Sequence, residues 1–466
     1  MDFHIGLDGR GDLSGQIYRR LREAILDGRL RPGDALPATR ELARRLDVAR
    51  NTVGVAYDRL AAEGFVAGRV GAGTFVQETG SAPRGAPAAS PLRPRARWES
   101  VAPWPGWLGA RPAFDFRVGL PDPRLFPYET WRRMMTRELR EPSSASADPA
   151  GLPALRAAIA RHVGVSRGVR ASADDVIVTG GIQQALDLVG RVLLEPGDLV
   201  AVERPGYPPA RMLFRSLGLR VAGVPVDAEG LRVEALPDDA RAVYVTPSHQ
   251  FPLGMPMSLA RRTALLAWAG RHGAAVIEDD YDSEFRFGGR PIEPLQNLDR
   301  GGLVLYTGSF SKVLVPRTRI GFLVAPASLR AALVAAKFVT DWHSPLPAQA
   351  ALARFIDEGA LARHVRRMRH EYEGRHALLM STLRREFAGR LDPVPSTAGL
   401  HISAFTTADP EAAAERARAA GAQVHTLAEV AMDPAARPGL VLGYGAIPAA
   451  RIEAGLARLS DAMNPI

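Results

Sequence analysis

Leu303-Val304-Leu305-Tyr306-Thr307-Gly308-Ser309-Phe310-Ser311-Lys312 closes an apolar run on a lysine. A run apolar on both faces predicts a buried strand, and the Lys312 side chain then emerges at its carboxyl end. That placement stands out because two of the 59 basic residues are lysines, Lys312 and Lys337, and all the others are arginines. Arginine stays protonated and cannot form an imine, whereas a desolvated lysine can lose its proton and attack an aldehyde. Lys312 is therefore a candidate Schiff-base lysine. Lys337, in the alanine-rich stretch from Leu333 to Phe338, reads as a packing residue.

Four more apolar runs precede it, Val176-Ile177-Val178, Leu199-Val200-Ala201-Val202, Ala242-Val243-Tyr244-Val245 and Ala275-Val276-Ile277, separated by helical stretches. This alternation predicts a mostly parallel sheet covered by helices, which binds ligands beyond the carboxyl ends of its strands. The unusual residues cluster at those ends: Thr179-Gly180-Gly181, Pro205-Gly206-Tyr207, Pro247-Ser248-His249-Gln250, Glu278-Asp279-Asp280-Tyr281 and Ser309 to Lys312. An aldehyde on a phosphorylated pyridine would find its needs met along this rim. Lys312 takes the aldehyde, Asp279 faces the ring nitrogen to keep it protonated, Tyr281 donates to the ring oxygen and Tyr207 stacks on the ring face. Gly180, Gly181 and Ile182 open a helix whose amides suit a phosphate, with Ser309, Ser311 and Arg319 completing the cup. Glycines after a strand, a lone tyrosine and adjacent acids each have ordinary structural explanations. Their joint placement on successive strand ends carries the case.

Upstream, seven prolines between Pro83 and Pro112, mixed with alanine, glycine and the arginines Arg93, Arg95 and Arg97, read as an extended, semi-rigid linker over residues 78–113. It separates a block of residues 1–77 from one of residues 114–466. Within the larger block the expected cofactor-binding part spans about 155–340, and a smaller part combines 114–154 with 341–466. The first block opens with Ile17, Leu21 and Ile25 at spacing four, a helix ending near Gly28. A second helix begins near Pro37 and a third carries Val53, Ala56, Tyr57 and Leu60 on one face. Gly64-Phe65-Val66, a turn from Gly68 to Gly73 and Thr74-Phe75-Val76 predict a two-stranded hairpin. Three short helices and a hairpin make the plan of a winged helix-turn-helix, whose third helix enters the DNA major groove. Arg50, Asn51 and Thr52 occupy its start, suited to guanine, adenine and phosphate oxygens, although Asn51 and Thr52 could also serve only as helix caps. Arg40 would hold the DNA backbone, and Gly71 and Gly73 would let the hairpin tip approach the duplex.

The bulk composition agrees with several globular domains in 466 residues. Net charge is +9; residues 1–77 contribute twelve arginines against ten acids and residues 78–112 five against two, so the excess is denser toward the N-terminal quarter. That permits a polyanionic partner there. The absence of cysteine excludes disulfides, thiolate zinc sites and cysteine nucleophiles, and no metal site is expected. No run reaches the ~20 apolar residues of a membrane span, and Asp2, Asp8 and Asp12 do not suit a secretory signal. The expectation is a cytoplasmic protein.

The first block resembles the GntR-type winged helix, through Leu36-Pro37-Ala38-Thr39-Arg40-Glu41-Leu42-Ala43, Ala49-Arg50-Asn51-Thr52-Val53 and Gly71-Ala72-Gly73-Thr74-Phe75-Val76. The resemblance implies operator contacts by Arg40 and Arg50, and a dimer on two half-sites. The second block resembles the fold-type I aminotransferases, which bind pyridoxal 5'-phosphate. Ser309-Phe310-Ser311-Lys312 followed by Arg319-Ile320-Gly321 is similar to their cofactor-lysine motif. Pro247-Ser248-His249-Gln250-Phe251-Pro252-Leu253-Gly254 and Glu278-Asp279-Asp280-Tyr281-Asp282-Ser283-Glu284-Phe285 look like the MocR subgroup, in which a GntR-type head is joined by a linker to an aminotransferase-like body. This implies a regulator that holds the cofactor as a homodimer with exchanged heads, sensing pyridoxal phosphate or an amine. Two positions depart from working aminotransferases. Ser146 stands where they place a tyrosine that reaches the partner's phosphate, and Val441 where they place an arginine that grips the substrate carboxylate. The rival readings are an active aminotransferase with a DNA-binding appendage and a degenerate body that only dimerises. Val441 argues against amino-acid turnover and toward cofactor sensing.

Overall fold

The computed structural model describes residues 6–7, 11–78, 93–98, 101, 112–140, 148–288, 292–434 and 436–464. These form two compact units, residues 1–94 and 95–466. In the first, α1 (Leu13–Leu26) starts at Asp12, whose carboxylate accepts from the Gly15 N–H. Its buried Ile17, Leu21 and Ile25 share one core with Leu42 of α2 (Thr39–Leu46) and with Val53, Tyr57 and Leu60 of α3 (Arg50–Ala62). Each such side chain withdrawn from water contributes about 1.5–3 kcal/mol before entropy is counted. The second helix begins at Thr39 and not at Pro37, because Ala38 is still extended and the Pro37 carbonyl accepts from the Tyr57 hydroxyl at 2.8 Å.

The wing has three strands and not the two expected. β2 (Val66–Arg69) and β3 (Gly73–Val76) form the hairpin, and β1 (Ala35–Leu36) pairs antiparallel with β3. Two residues are too few to show a period in sequence, so β1 was invisible there. Gly71 and Gly73 both have positive φ at the hairpin turn, a conformation that glycine adopts without strain.

The second unit is built on an eight-stranded sheet. Its order is β5 (Val176–Thr179), β12 (Gly321–Val324), β11 (Val304–Ser309), β10 (Ala275–Asp280), β9 (Ala240–Val245), β6 (Leu199–Arg204), β7 (Arg220–Asp227) and β8 (Gly230–Leu231). From β11 to β7 the neighbours are parallel; β12 runs antiparallel to both β11 and β5, and β8 to β7. All five apolar runs are strands of this sheet. Alternate residues face opposite layers: Val176 and Val178 join a core with Leu155, Ile159 and Val163 of α5 (Pro153–Arg167), while Ile177 joins Leu186 and Val189 of α6 (Ile182–Leu193). Strands β7 and β12 escaped the sequence reading for different reasons. β7 is half exposed and broken by Gly223 and Pro225, and β12 is only four residues long.

A smaller antiparallel sheet, β13 (Asp392–Pro393), β14 (His401–Phe405), β17 (Gly439–Gly443) and β16 (His425–Thr426), packs beside the 27-residue helix Ala360–Glu386. β4 (Phe114–Asp115) pairs in parallel with β15 (Ala422–Gln423), tying the start of the unit to this part. Of the expected linker, residues 79–92, 99–100 and 102–111 lie outside the described residues. Its Arg97 belongs to the second unit and donates to the Ser216 carbonyl at 3.3 Å, at the end of α7 (Pro208–Ser216). No described helix is long and apolar enough to cross a membrane.

Candidate functional site

The carboxyl ends of the parallel strands open onto a cavity of about 370 Å³. Lys312, Asp279, Tyr281, Tyr207, Ser309, Ser311, Arg319 and Ile182 all line it. Arg319 reaches this rim because of topology. It stands two residues before β12, whose antiparallel course brings its amino end to the edge where its neighbours finish. One loop, residues 310–320, thus carries both Lys312 and Arg319.

Lys312 Nζ donates to the Gly119 carbonyl at 2.6 Å. Burial pushes its ammonium down to about 8, against the pull of Asp282 and Asp279, so a reactive fraction is neutral near physiological pH. Asp279 is 4% exposed; burial raises its carboxyl to about 7, although the Tyr244 hydroxyl donates to Oδ2 at 2.6 Å. Its Oδ1 has no hydrogen-bond partner among the described residues. The neighbouring Asp280 has a different fate. It takes the Arg167 guanidinium at 2.7 Å and the Tyr306 hydroxyl at 2.6 Å, which together outweigh burial and hold it below the usual carboxylate range. Asp280 Oδ1 is also without a partner among the described residues, but Asp280 is ion-paired to Arg167 and does not line the cavity, whereas Asp279 does.

At the other end, α6 begins at Ile182 after Gly181, whose φ is +113°. A Cβ on Gly181 would stand 3.3 Å from the Arg319 guanidinium, so the glycine lets that cation lie over the helix start. Arg319 forms no ion pair among the described residues. The Gly180 amide is not part of this cup, since it donates to Gln184 Oε1 at 2.7 Å. Ser311 N–H donates to Ser309 Oγ at 3.2 Å, which fixes the two hydroxyls beside each other. Tyr207 packs edge-on against Phe251, with ring centroids 5.5 Å apart.

Sequence reasoning missed part of the lining: Gly119, Gln183, Thr246, Phe251, Asp282, Leu400 and His401. Several stand in the quoted motifs, but Gly119, Leu400 and His401 come from distant segments with no local signal. His249, Asp282 and His401 bring donor atoms within 4.8 Å of one another, all buried. Each is already engaged: His249 Nδ1 contacts Asp282 at 3.0 Å, and His401 Nε2 faces the Pro252 carbonyl at 2.9 Å. Val441 lies in β17 within an apolar cluster of Val118, Phe251, Leu253, Leu427 and Val430, and does not line the cavity. Ser146 is outside the described residues. Lys337 is fully buried and pairs with Asp341 one helical turn on, at 2.5 Å.

In the first unit Arg40, Arg50, Asn51, Gly71 and Gly73 are exposed and Thr52 is partly so. The N-cap of α3 is Ala49, and among the described residues Asn51 and Thr52 make no side-chain hydrogen bond, so capping does not account for them. Arg50 Nε reaches Thr39 Oγ1 at 3.4 Å, joining the starts of α2 and α3.

Residues 121–456 match the family "Aminotransferase class I and II", and residues 13–76 match "Bacterial regulatory proteins, gntR family". The chain is 37% identical over 461 residues, 96% of its own length and 93% of the relative's, to a Rhizobium meliloti protein named "Probable rhizopine catabolism regulatory protein MocR". It is 33% identical to the "HTH-type pyridoxine biosynthesis transcriptional regulator PdxR" of Corynebacterium glutamicum, covering 96% of this chain and 95% of the relative. Among solved structures, the α-aminoadipate aminotransferase LysN of Thermus thermophilus is similar at 31% identity and a TM-score of 0.68, over 75% of this chain and 91% of that one. A Pyrococcus horikoshii kynurenine aminotransferase is similar at 28% identity and the same TM-score, over 75% and 90%.

Proposed function

The chain belongs to the aminotransferase class I and II family, in the branch that carries a gntR-type winged-helix head, and from that membership we propose a transcription regulator whose body holds pyridoxal 5'-phosphate. The observation that carries the reading is one cavity containing both a lysine of lowered basicity and a buried carboxylate oxygen without a partner. An unpaired buried acceptor is costly, and a protonated pyridine nitrogen is the donor that would satisfy Asp279 Oδ1. Lys312 would hold the aldehyde, Tyr281 the ring oxygen and Tyr207 the ring face. Gly181, Ile182, Ser309, Ser311 and Arg319 would hold the phosphate, with the first-turn amides of α6 in support. When bound, the cofactor supplies a reversible link to primary amines.

In this reading the effector is pyridoxal phosphate itself or an amine that exchanges with Lys312. Because an effector shifts an equilibrium only through unequal affinity for two states, occupancy must favour one DNA-bound state of the regulator over the other. The head reads an operator through Arg50, Asn51 and Thr52 at the start of α3, with Arg40 and the wing glycines on the DNA backbone. The protein works in the cytoplasm as a homodimer with exchanged heads. The burial of Val441 among aliphatic and aromatic side chains supports regulation over turnover of amino acids, because a valine there offers a carboxylate nothing to bind.

The test has two readings. Borohydride reduction of cofactor-treated protein should fix an adduct on Lys312, and Lys312→Ala should show neither adduct nor visible band. Uptake should quicken as pH rises and level off above about 8, since the neutral amine grows through that range. Titration of the protein against its own upstream DNA should give different affinities with and without pyridoxal phosphate. Equal affinities would sink the regulatory reading even if the adduct forms.

A further inference from the structure

Beside Tyr281, and not among the residues lining the cavity, sits a buried histidine that no role above uses. His249 and Asp282 are each 2% exposed. His249 Nδ1 lies 3.1 and 3.0 Å from the two oxygens of Asp282, and 2.9 Å from the Tyr281 hydroxyl. On its other side, Nε2 is 3.3 Å from Ser396 Oγ, which also reaches the Ala398 carbonyl at 3.2 Å. The ring is clamped by backbone: a Cβ on Gly399, whose φ is +87°, would fall 2.0 Å from His249 Cε1.

This geometry fixes where the protons are. An ionised carboxylate only accepts, so two oxygens at these distances select the form of His249 with hydrogen on Nδ1. The Tyr281 oxygen, facing the same nitrogen, must then accept on this side, because two hydrogens cannot share one contact. Its own O–H is left to point elsewhere, and the open direction is the cavity that Tyr281 lines. Burial, with Asp282 and Asp279 nearby, holds this phenol well above its ordinary range, so it remains a donor.

We propose that His249, anchored by Asp282, is a positioning residue that turns the Tyr281 O–H toward the anionic ring oxygen of bound pyridoxal phosphate. The assignment rests on the cofactor reading given above. Without the imidazole, Tyr281 is left with the Asp282 carboxylate, which shares His249 Nδ1 with it and is the first of the charges acting on the phenol. The phenol would turn to it, and the ring oxygen would lose its donor. A ring oxygen deprived of that hydrogen bond holds the shared imine proton more tightly, so the link titrates at higher pH.

The experiment uses the full-length, cofactor-loaded protein and follows its visible band against pH. Besides His249 itself, the titratable groups around Tyr281 and Lys312 are Asp279, Asp280, Asp282, Glu203, His401, Tyr207, Tyr244 and Arg319, and all stay unchanged in the variants. His249→Ala should raise the midpoint by about one pH unit, the size expected for one hydrogen bond to a charged oxygen. Tyr281→Phe should raise it at least as much, and the double variant no further, because both changes remove the same contact. His249→Asn, which returns an N–H near the Nδ1 position, should recover most of the shift. Full additivity of the two single shifts, or an unmoved midpoint in His249→Ala, overturns the proposal while leaving the cofactor reading intact. A wild type that takes up no cofactor overturns both. Should the alanine variant fail to fold, nitrogen-15 spectra of the wild-type protein decide: a His249 signal with hydrogen on Nε2 alone refutes the assignment.

Discussion

Two adjacent aspartates show how little a residue's type decides by itself. Asp279 and Asp280 end the same strand and each keeps one oxygen without a partner among the described residues, yet Asp280 is ion-paired to Arg167 and does not line the cavity, whereas Asp279 does. Strand alternation separates them, since successive side chains leave a strand on opposite faces. Asp279→Asn would retain a polar group but lose the charge that keeps a ring nitrogen protonated. The expected outcome is a ten- to hundredfold weaker hold on pyridoxal phosphate, about 1.5–3 kcal/mol, with Lys312 still trapped by borohydride. Absorbance titration checks this, and an unchanged affinity would remove Asp279 from the site. Asp279, Lys312, Tyr281, Tyr207 and Arg319 were legible in the sequence because each stands at the end of an apolar run or in a quoted motif. His401 and Leu400 were not, because they come from the smaller sheet and meet the rim only through tertiary packing.

At the scale of the element, the long strongly apolar strands announced themselves and the short or half-exposed ones did not. β12 is the instructive case: four residues, Gly321–Val324, decide that Arg319 joins the cavity. The third helix of the head offers a cleaner trial. Its buried face of Val53, Ala56, Tyr57 and Leu60 fixes its orientation, and its exposed start is free of capping bonds. Arg50→Ala should abolish discrimination between matched and scrambled operators, a loss of about 1–3 kcal/mol, whereas Arg40→Ala should weaken both alike. Binding at fixed salt distinguishes the two, and a selective Arg50 variant would displace α3 as the reading helix.

For the whole molecule, the two compact units have separate cores: Ile17, Leu21, Val53 and Leu60 in one, and the sheet's strands and covering helices in the other. Calorimetry should therefore resolve the effects of two ligands. Pyridoxal phosphate at a hundredfold excess over its Kd should stabilise the body by about 2.7 kcal/mol and leave the head's transition in place. Operator DNA should do the converse, and a cofactor that shifted both equally would mean that the chain melts as one unit. A further property of the whole molecule follows from the single loop bearing Lys312 and Arg319. In the proposed binding mode, a covalent jaw and an electrostatic jaw on one short segment would act as a caliper, gauging a vitamer by its length and by the chemistry at its two tips. Pyridoxal lacks the anionic tip and pyridoxine phosphate lacks the carbonyl, so each closes only one jaw, and neither should pass for the complete molecule.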